Sequence, residues 1–220
     1  MAKSQPFDLV IFDCDGVLVD SETISASSLA ECLTQAGLPI DTDYVMDHYL
    51  GRSFAVIEAD YRVRTGQPLP DGFADGWYRV LFAAFERELK PIEGVAVAIG
   101  RLSLPKCVAS SSAPNRLALS LKVTALGELF GANVFNATMV RRGKPAPDLF
   151  LYCATQMGAS PSRTLVIEDS VTGVQAGVAA GMTVWGFVGG KHYQGRNGAE
   201  TLRAAGADRV FASMAEFGLD

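Results

Sequence analysis

Short, nearly continuous runs of branched and aromatic residues recur along the chain, and three of them stop at an acid or a hydroxyl. Phe7–Phe12 (FDLVIF) stops at Asp13, Lys106–Ala109 (KCVA) at Ser110 and Thr164–Ile167 (TLVI) at Glu168. Thr183–Phe187 (TVWGF) and Arg209–Phe211 (RVF) repeat the pattern. Runs of this kind fit strands covered on both faces of a parallel sheet. Between them the apolar spacing turns helical. Arg116–Val123 follows Pro114, Asp148–Met157 follows Pro147, and Val171–Ala180 stops at Gly181. Proline at a helix start and glycine just past its end are boundary signals. Strands alternating with helices predict an open, doubly wound, mainly parallel α/β sheet.

One stretch breaks the alternation. From about Ser21 to Lys90 no strand pattern occurs. Ser21–Ala36 reads as a helix with Ile24, Ser28, Leu29, Cys32 and Leu33 on one face, and Gly37 stops it. Phe54–Thr65 and Phe73–Leu89 also read as helices, with the turn-rich Gly66–Gly72 between them. The expected organisation is a core of residues 1–18 and 91–220 with a helical cap of residues 19–90. Ligands of open α/β sheets bind at the carboxyl ends of the strands. An insertion straight after the first strand is therefore expected to act as a lid.

Composition narrows the function. Apolar residues make up 49% and charged residues 20%, an ordinary globular balance that excludes a disordered or collagen-like chain. Nineteen Lys and Arg against 24 Asp and Glu give a net charge of −5, and the basic residues are scattered. That argues against a nucleic-acid partner, which calls for a basic patch or stripe. No apolar stretch approaches the roughly 18 to 20 residues of a membrane span, so no membrane partner is expected. The four cysteines show no metal-ligand spacing, and Met1–Pro6 carries no secretory signal. Reduced thiols and a cytoplasmic location are the expectation. A monomer and a homodimer are equally compatible with the sequence.

Four polar clusters carry candidate chemistry. In Asp13-Cys14-Asp15-Gly16 two carboxylates sit on a turn at the end of the first strand. Paired carboxylates at close range share a proton or a cation, and a hard divalent cation prefers oxygen ligands. A calcium loop also begins D-x-D, but Val17 and Leu18 leave that loop without its further oxygen ligands. Ser110-Ser111-Ser112 follows the second run ahead of a helix, where free N–H groups favour a phosphate. Taken alone it is better explained by a serine helix cap, since serine before a helix is common. Lys144 stands in the stiff loop Gly143–Pro147, where a fixed ammonium can serve a carboxylate and a phosphoryl oxygen together. Glu168-Asp169 ends the fourth cluster, where an acid also suits a helix N-terminus. If the sheet is parallel, all four meet at one edge. A carboxylate nucleophile, a cation site, a hydroxyl loop and a lysine are the inventory for phosphoryl transfer through an aspartyl-phosphate.

The segments DCDGVLVDSE (Asp13–Glu22), VASSS (Val108–Ser112), GKPAPDLF (Gly143–Phe150) and VIEDSVTGVQAGVAAGM (Val166–Met182) resemble the haloacid dehalogenase superfamily, in its helical-cap branch. The resemblance covers essentially the whole chain. It implies a Rossmann-like core and Mg²⁺-dependent phosphatase or phosphomutase chemistry on a small phosphorylated metabolite, such as a sugar phosphate. Carried over by residue, it implies Asp13 as nucleophile, Asp15 as general acid and then base, Ser110 as a ligand of a phosphoryl oxygen and Ser111 as a backbone donor beside it. Lys144 would neutralise the phosphoaspartate. Asp13, the Asp15 carbonyl and Asp169 would hold Mg²⁺, with Glu168 bound directly or through water. Asp15 favours phosphate-ester hydrolysis over cleavage of carbon–halogen or carbon–phosphorus bonds. Resemblance to β-phosphoglucomutases calls for a histidine where Ser25 stands and an arginine where Phe54 stands. Those departures favour a phosphatase, with the mutase and a non-catalytic metabolite-binding module as alternatives.

Several features are set aside. His48 reads as a surface residue, and Gly189-Gly190-Lys191-His192 lacks the spacing of a phosphate-binding P-loop. Gly186–Gly198 reads as a glycine-rich loop at the rim of the site. Cys14 reads as a small residue packed under the first motif. Gly173, Gly177 and Gly181 read as close helix-on-sheet packing. Arg52, in a break between helices, is the candidate for recognising the anionic substrate.

Overall fold

The computed structural model describes residues 7–219. The polar N-terminus Met1–Pro6, which opens the expected core, lies outside the described residues. The first strand, β1 (Leu9–Phe12), is followed by four helices: α1 (Glu22–Gln35), α2 (Thr42–His48), α3 (Phe54–Thr65) and α4 (Phe73–Glu88). Then come α5 (Val95–Arg101), β2 (Lys106–Ser110), α6 (Pro114–Val123), β3 (Val134–Asn136) and α7 (Asp148–Gln156). The chain continues with β4 (Thr164–Glu168), α8 (Val171–Ala179), β5 (Thr183–Phe187), α9 (Gly198–Ala204) and β6 (Arg209–Phe211). Two compact units result, one ending at Asp20 and resuming at Lys90, the other Ser21–Leu89.

The first unit is a six-stranded sheet in the order β3-β2-β1-β4-β5-β6, parallel throughout. This is the strand order of a Rossmann-like doubly wound fold, whose switch point lies at the carboxyl end of its central strands. Every residue of β1 and β4 is buried, as the unbroken apolar runs predict. Leu9, Ile11, Cys107 and Ala109 pack on one face against Leu149, Phe150 and Cys153 of α7 and Val174 of α8. On the other face Phe12 meets Phe130 and Phe217 edge-on, with ring centroids 6.0 and 5.6 Å apart. Each such side chain contributes roughly 1.5–3 kcal/mol by leaving water. Register then places the chemistry. Phe12 pairs with Val108 on one side and Ile167 on the other. The next residues, Asp13, Ala109 and Glu168, therefore come level at the carboxyl edge.

Five of the six strands lie where the apolar runs predict them. β3 does not, because a three-residue edge strand (VFN), two of whose residues are only half-buried, has no apolar run to announce it. The short helices α2, α5 and α9 were likewise not legible. In α2 only Val45 is buried, and the helix is held by the Asp41 side chain accepting from Tyr44 N at 2.8 Å.

The second unit has its own core. Ala26, Leu29, Ala30 and Leu33 of α1 pack with Val45, Ile57 and Tyr61, and Trp77 of α4 lies against them. The inward face of α1 is rotated from the expected one: Ile24 and Cys32 are only partly buried, whereas Ser25 and Ala26 are buried. Small side chains there let α4 approach, and Trp77 Nε1 donates to Ser28 Oγ at 3.0 Å. No helix among the described residues is long and apolar enough to cross a membrane.

Candidate active site

The backbone leaves β1 through a tight turn. Asp13 N extends the ladder to Ile167 O at 2.9 Å, and Gly16 N closes the turn on Val19 O at 2.8 Å. Gly16 has φ +75°, and a Cβ there would fall 1.7 Å from Asp169 Oδ2. Only glycine lets the first motif lie this close to the fourth.

Lys144 projects from its loop into the carboxyl edge and is almost wholly buried. Its Nζ donates to Asp13 Oδ1 at 2.6 Å, Glu168 Oε1 at 2.6 Å and Ala109 O at 2.9 Å. Those three bonds use every donor an ammonium has. Burial pulls its pKa down, but the charges of Asp13 and Glu168 outweigh that and hold it above the usual lysine range. Lys144 therefore remains a cation.

Glu168 is fully buried at the end of β4. Its second oxygen accepts from Ser170 N and Ser170 Oγ, both at 2.9 Å. Ser170 Oγ in turn accepts from Gly173 N at 3.0 Å, capping α8. One serine thus starts the helix and orients the acid. A Cβ at Gly173 would fall 1.8 Å from Glu168 Oε1. In an ordinary helix interior Gly→Ala gains roughly 1 kcal/mol. Gly173→Ala is expected to do the opposite, lowering the melting temperature and reducing turnover by at least about tenfold, because Glu168 must move. A rise in melting temperature in thermal unfolding would show that the contact is loose. A Cβ at Gly177, one turn on, would meet Val184 and Val166, whereas a Cβ at Gly181 (φ +71°) would meet nothing, so Gly181 serves to end the helix. The helix-on-sheet reading thus holds for Gly173 and Gly177 and is corrected for Gly181.

Asp169 is buried and held by the Gly186–Gly198 segment. His192 Nε2 lies 3.2 Å from Asp169 Oδ2, and Tyr193 Oη donates to the Asp169 carbonyl oxygen. Lys191 Nζ pairs with Asp20 Oδ2 at 3.0 Å. This segment is therefore not a rim loop only. It folds into a short 3-10 turn at Lys191–Tyr193 whose residues tie the first motif to the fourth.

Oxygens of Asp13, Glu168 and Asp169 lie within 4.8 Å of one another. Burial, joined by the neighbouring carboxylates and opposed by Lys144, pushes Asp13 and Asp169 well above the ordinary carboxylate range. With all three carboxylates ionised, the cluster would carry two negative charges beyond that of Lys144, which a divalent cation would balance. An all-oxygen donor set of this kind fits a hard cation.

Asp15 lies apart from that cluster. Ser112 Oγ donates to its Oδ2 at 2.5 Å and Arg116 Nη2 to its Oδ1 at 2.8 Å. Ser110 Oγ accepts from Ser112 N at 3.0 Å, while Ser111 is exposed. Arg52 belongs to the other unit and is exposed in the link between α2 and α3. Cys14 is buried, and desolvation, then the charges of Asp15 and Asp13, push its thiol well up, which suits packing rather than reactivity.

Sequence reasoning placed Ser112 in the serine cluster and set His192 aside with its glycines, but assigned neither a partner, and it missed Arg116 and Tyr193. Arg116 carried a weak signal, since a cation in the first turn of a helix opposes the helix dipole. His192 and Tyr193 carried none beyond their neighbouring glycines.

The profile of haloacid dehalogenase-like hydrolases matches residues 7–181. The chain is 30% identical to the 6-phosphogluconate phosphatase of Escherichia coli (strain K12) over 186 residues, 84% of each protein. It superposes on a conserved haloacid dehalogenase-like protein of unknown function from Agrobacterium tumefaciens with a TM-score of 0.84 and 39% identity, covering 94% of both chains. A HAD family hydrolase of Deinococcus radiodurans, solved with bound phosphate and sodium, gives a TM-score of 0.81 and 39% identity, covering 97% of this chain and 94% of that one. With the acidic motifs gathered at the carboxyl edge of this sheet, the match over most of its length places the chain in the haloacid dehalogenase-like hydrolase family.

Proposed function

We propose that the protein is a Mg²⁺-dependent phosphatase that hydrolyses a small phosphorylated metabolite, with a sugar phosphate as the first class to test, through an aspartyl-phosphate on Asp13. The observation that carries this reading is Lys144 bridging Asp13 and Glu168 inside a buried carboxylate cluster. The similarity to a 6-phosphogluconate phosphatase, and to a hydrolase solved with phosphate, supports the substrate class.

In this mechanism an Asp13 carboxylate oxygen attacks phosphorus and the ester P–O bond breaks. Asp15 gives its proton to the departing oxygen. It then takes a proton from the water that attacks phosphorus and releases Asp13. Ser110 donates its hydroxyl hydrogen to a phosphoryl oxygen, and the Ser111 backbone N–H is assigned beside it. Lys144 favours the ionised form of Asp13 against the effect of burial and neutralises charge on the phosphoaspartate. Asp13, the Asp15 carbonyl and Asp169, with Glu168 directly or through water, would hold Mg²⁺. When bound, the ion supplies positive charge against the phosphoryl oxygens and fixes their orientation. The same proposal takes residues 19–90 as a substrate-selecting cap, with Arg52 as its anion contact.

The second unit favours hydrolysis over mutase chemistry. Ser25 Oγ donates to Ser21 O at 2.9 Å, and Phe54 stacks on Trp77 with ring centroids 6.2 Å apart. Neither side chain offers the imidazole or guanidinium that the mutase resemblance requires. The test is phosphate release from a panel of small phosphomonoesters with Mg²⁺ and with EDTA. Release with Mg²⁺ and its loss in EDTA are expected. Conversion of glucose 1-phosphate to the 6-phosphate without release would establish the mutase instead.

A further inference from the structure

Arg116 is an arginine placed against its own helix. It occupies the third position of α6, where the positive end of the dipole disfavours a cation and where a glutamate is the usual helix-stabilising choice. The first turn contains no acid to compensate. The counter-charge comes instead from Asp15, 101 positions earlier in the chain, at 2.8 Å. Arg116 and Asp15 side chains are 13% and 14% exposed, so the pair is largely shielded from water. The position opposes the dipole of α6, and it brings the guanidinium onto Asp15.

We propose that Arg116 is the positioning residue of Asp15, holding its carboxylate, together with Ser112, where it exchanges a proton with the leaving oxygen. The inference rests on the reading of Asp15 as proton donor and acceptor. Each Asp15 oxygen is engaged from the same segment, Oδ2 by Ser112 Oγ and Oδ1 by Arg116 Nη2. Ser112 N also donates to Ser110 Oγ. The hydroxyl assigned to the phosphoryl oxygen and the hydroxyl that grips the acid therefore belong to one turn after β2. That turn sets the offset between phosphorus and the acid. Arg116 fixes the plane of the carboxylate, a task for which a rigid planar guanidinium is better suited than a flexible ammonium.

In the first half-reaction the electron pair of the breaking P–O bond stays on the leaving oxygen, which receives the Asp15 proton. In the second, water gives its proton to Asp15 as its oxygen bonds phosphorus and the Asp13–phosphorus bond breaks. Arg116 remains protonated throughout and exchanges nothing; it acts only through the placement of Asp15.

The leaving group separates this role from a merely structural one. An alkoxide needs a proton to depart, whereas 4-nitrophenolate does not. The value of kcat/KM reports events up to leaving-group departure, so water attack does not enter it. The experiment measures kcat/KM for 6-phosphogluconate and for 4-nitrophenyl phosphate in wild type, Arg116→Ala, Arg116→Lys and Asp15→Asn. Another sugar phosphate replaces 6-phosphogluconate where the wild type turns it over faster. Arg116→Ala is expected to lower kcat/KM for the sugar phosphate by roughly 10- to 100-fold and for the aryl ester by less than about threefold, with Arg116→Lys between it and wild type. Equal losses on both esters, or no loss, overturn the proposal. Asp15→Asn is expected to show the same selectivity more strongly. If it is unselective, the reading of Asp15 fails and the proposal falls with it. If Asp15→Asn is selective and Arg116→Ala is not, Arg116 alone is dismissed. Should Arg116→Ala not fold, Arg116→Gln carries the comparison.

Discussion

Asp13→Asn is expected to reduce phosphate release by at least about 10³-fold, the scale seen when an enzyme loses its nucleophile, and to do so without loss of fold. Asparagine keeps the size of the side chain and an oxygen for Lys144 Nζ, which still has Glu168 and Ala109 O as partners. It removes one of three buried carboxylates crowded within 4.8 Å. The melting temperature in EDTA should therefore equal or exceed that of the wild type, because a like charge has been taken out of a site where burial already disfavours it. Phosphate release and thermal unfolding on the same preparations check both halves. Residual activity within tenfold of wild type would remove Asp13 from the role of nucleophile.

Lys144→Met should give the opposite stability result with a comparable functional one. The ammonium is the cation the structure places among Asp13, Glu168 and Asp169, and all three of its bonds are internal. Removing one partner of a buried ion pair costs about 3–5 kcal/mol because the remaining charge is left uncompensated. For a chain of this size that corresponds to a fall of roughly 10 °C in melting temperature. Turnover should drop by about 10²-fold or more, the cost of losing a preorganised positive group at a developing charge. The paired comparison is sharper than either variant alone. Asp13→Asn should inactivate without destabilising, and Lys144→Met should do both. A Lys144→Met protein that melts like wild type in EDTA would mean that the carboxylates discharge by taking up protons, and that Lys144 contributes to chemistry only.

The two variants also separate what was readable in the linear chain from what was not. Lys144 was legible as a candidate because two prolines hold its loop outside a helix, and Asp13 because it ends an apolar strand. The parallel sheet was legible for the same reason: a strand buried on both faces must be apolar at every position, and β1 and β4 are. Local composition thus determined the strands, the long helices and the acidic motifs. It could not determine β3, an edge strand with little to bury, or the rotation of α1, whose inward face is chosen by the approach of Trp77. Nor could it determine which side chains grip the acids. Arg116 reaches Asp15 across 101 positions and His192 lies on Asp169 across the β5 crossover. Those pairings exist only because parallel register brings the ends of β1, β2 and β4 level and a glycine at position 16 lets two motifs touch. Apolar patterning acts through neighbours a few residues apart, so it is written in the sequence. Charge pairing acts through space, so the fold decides it.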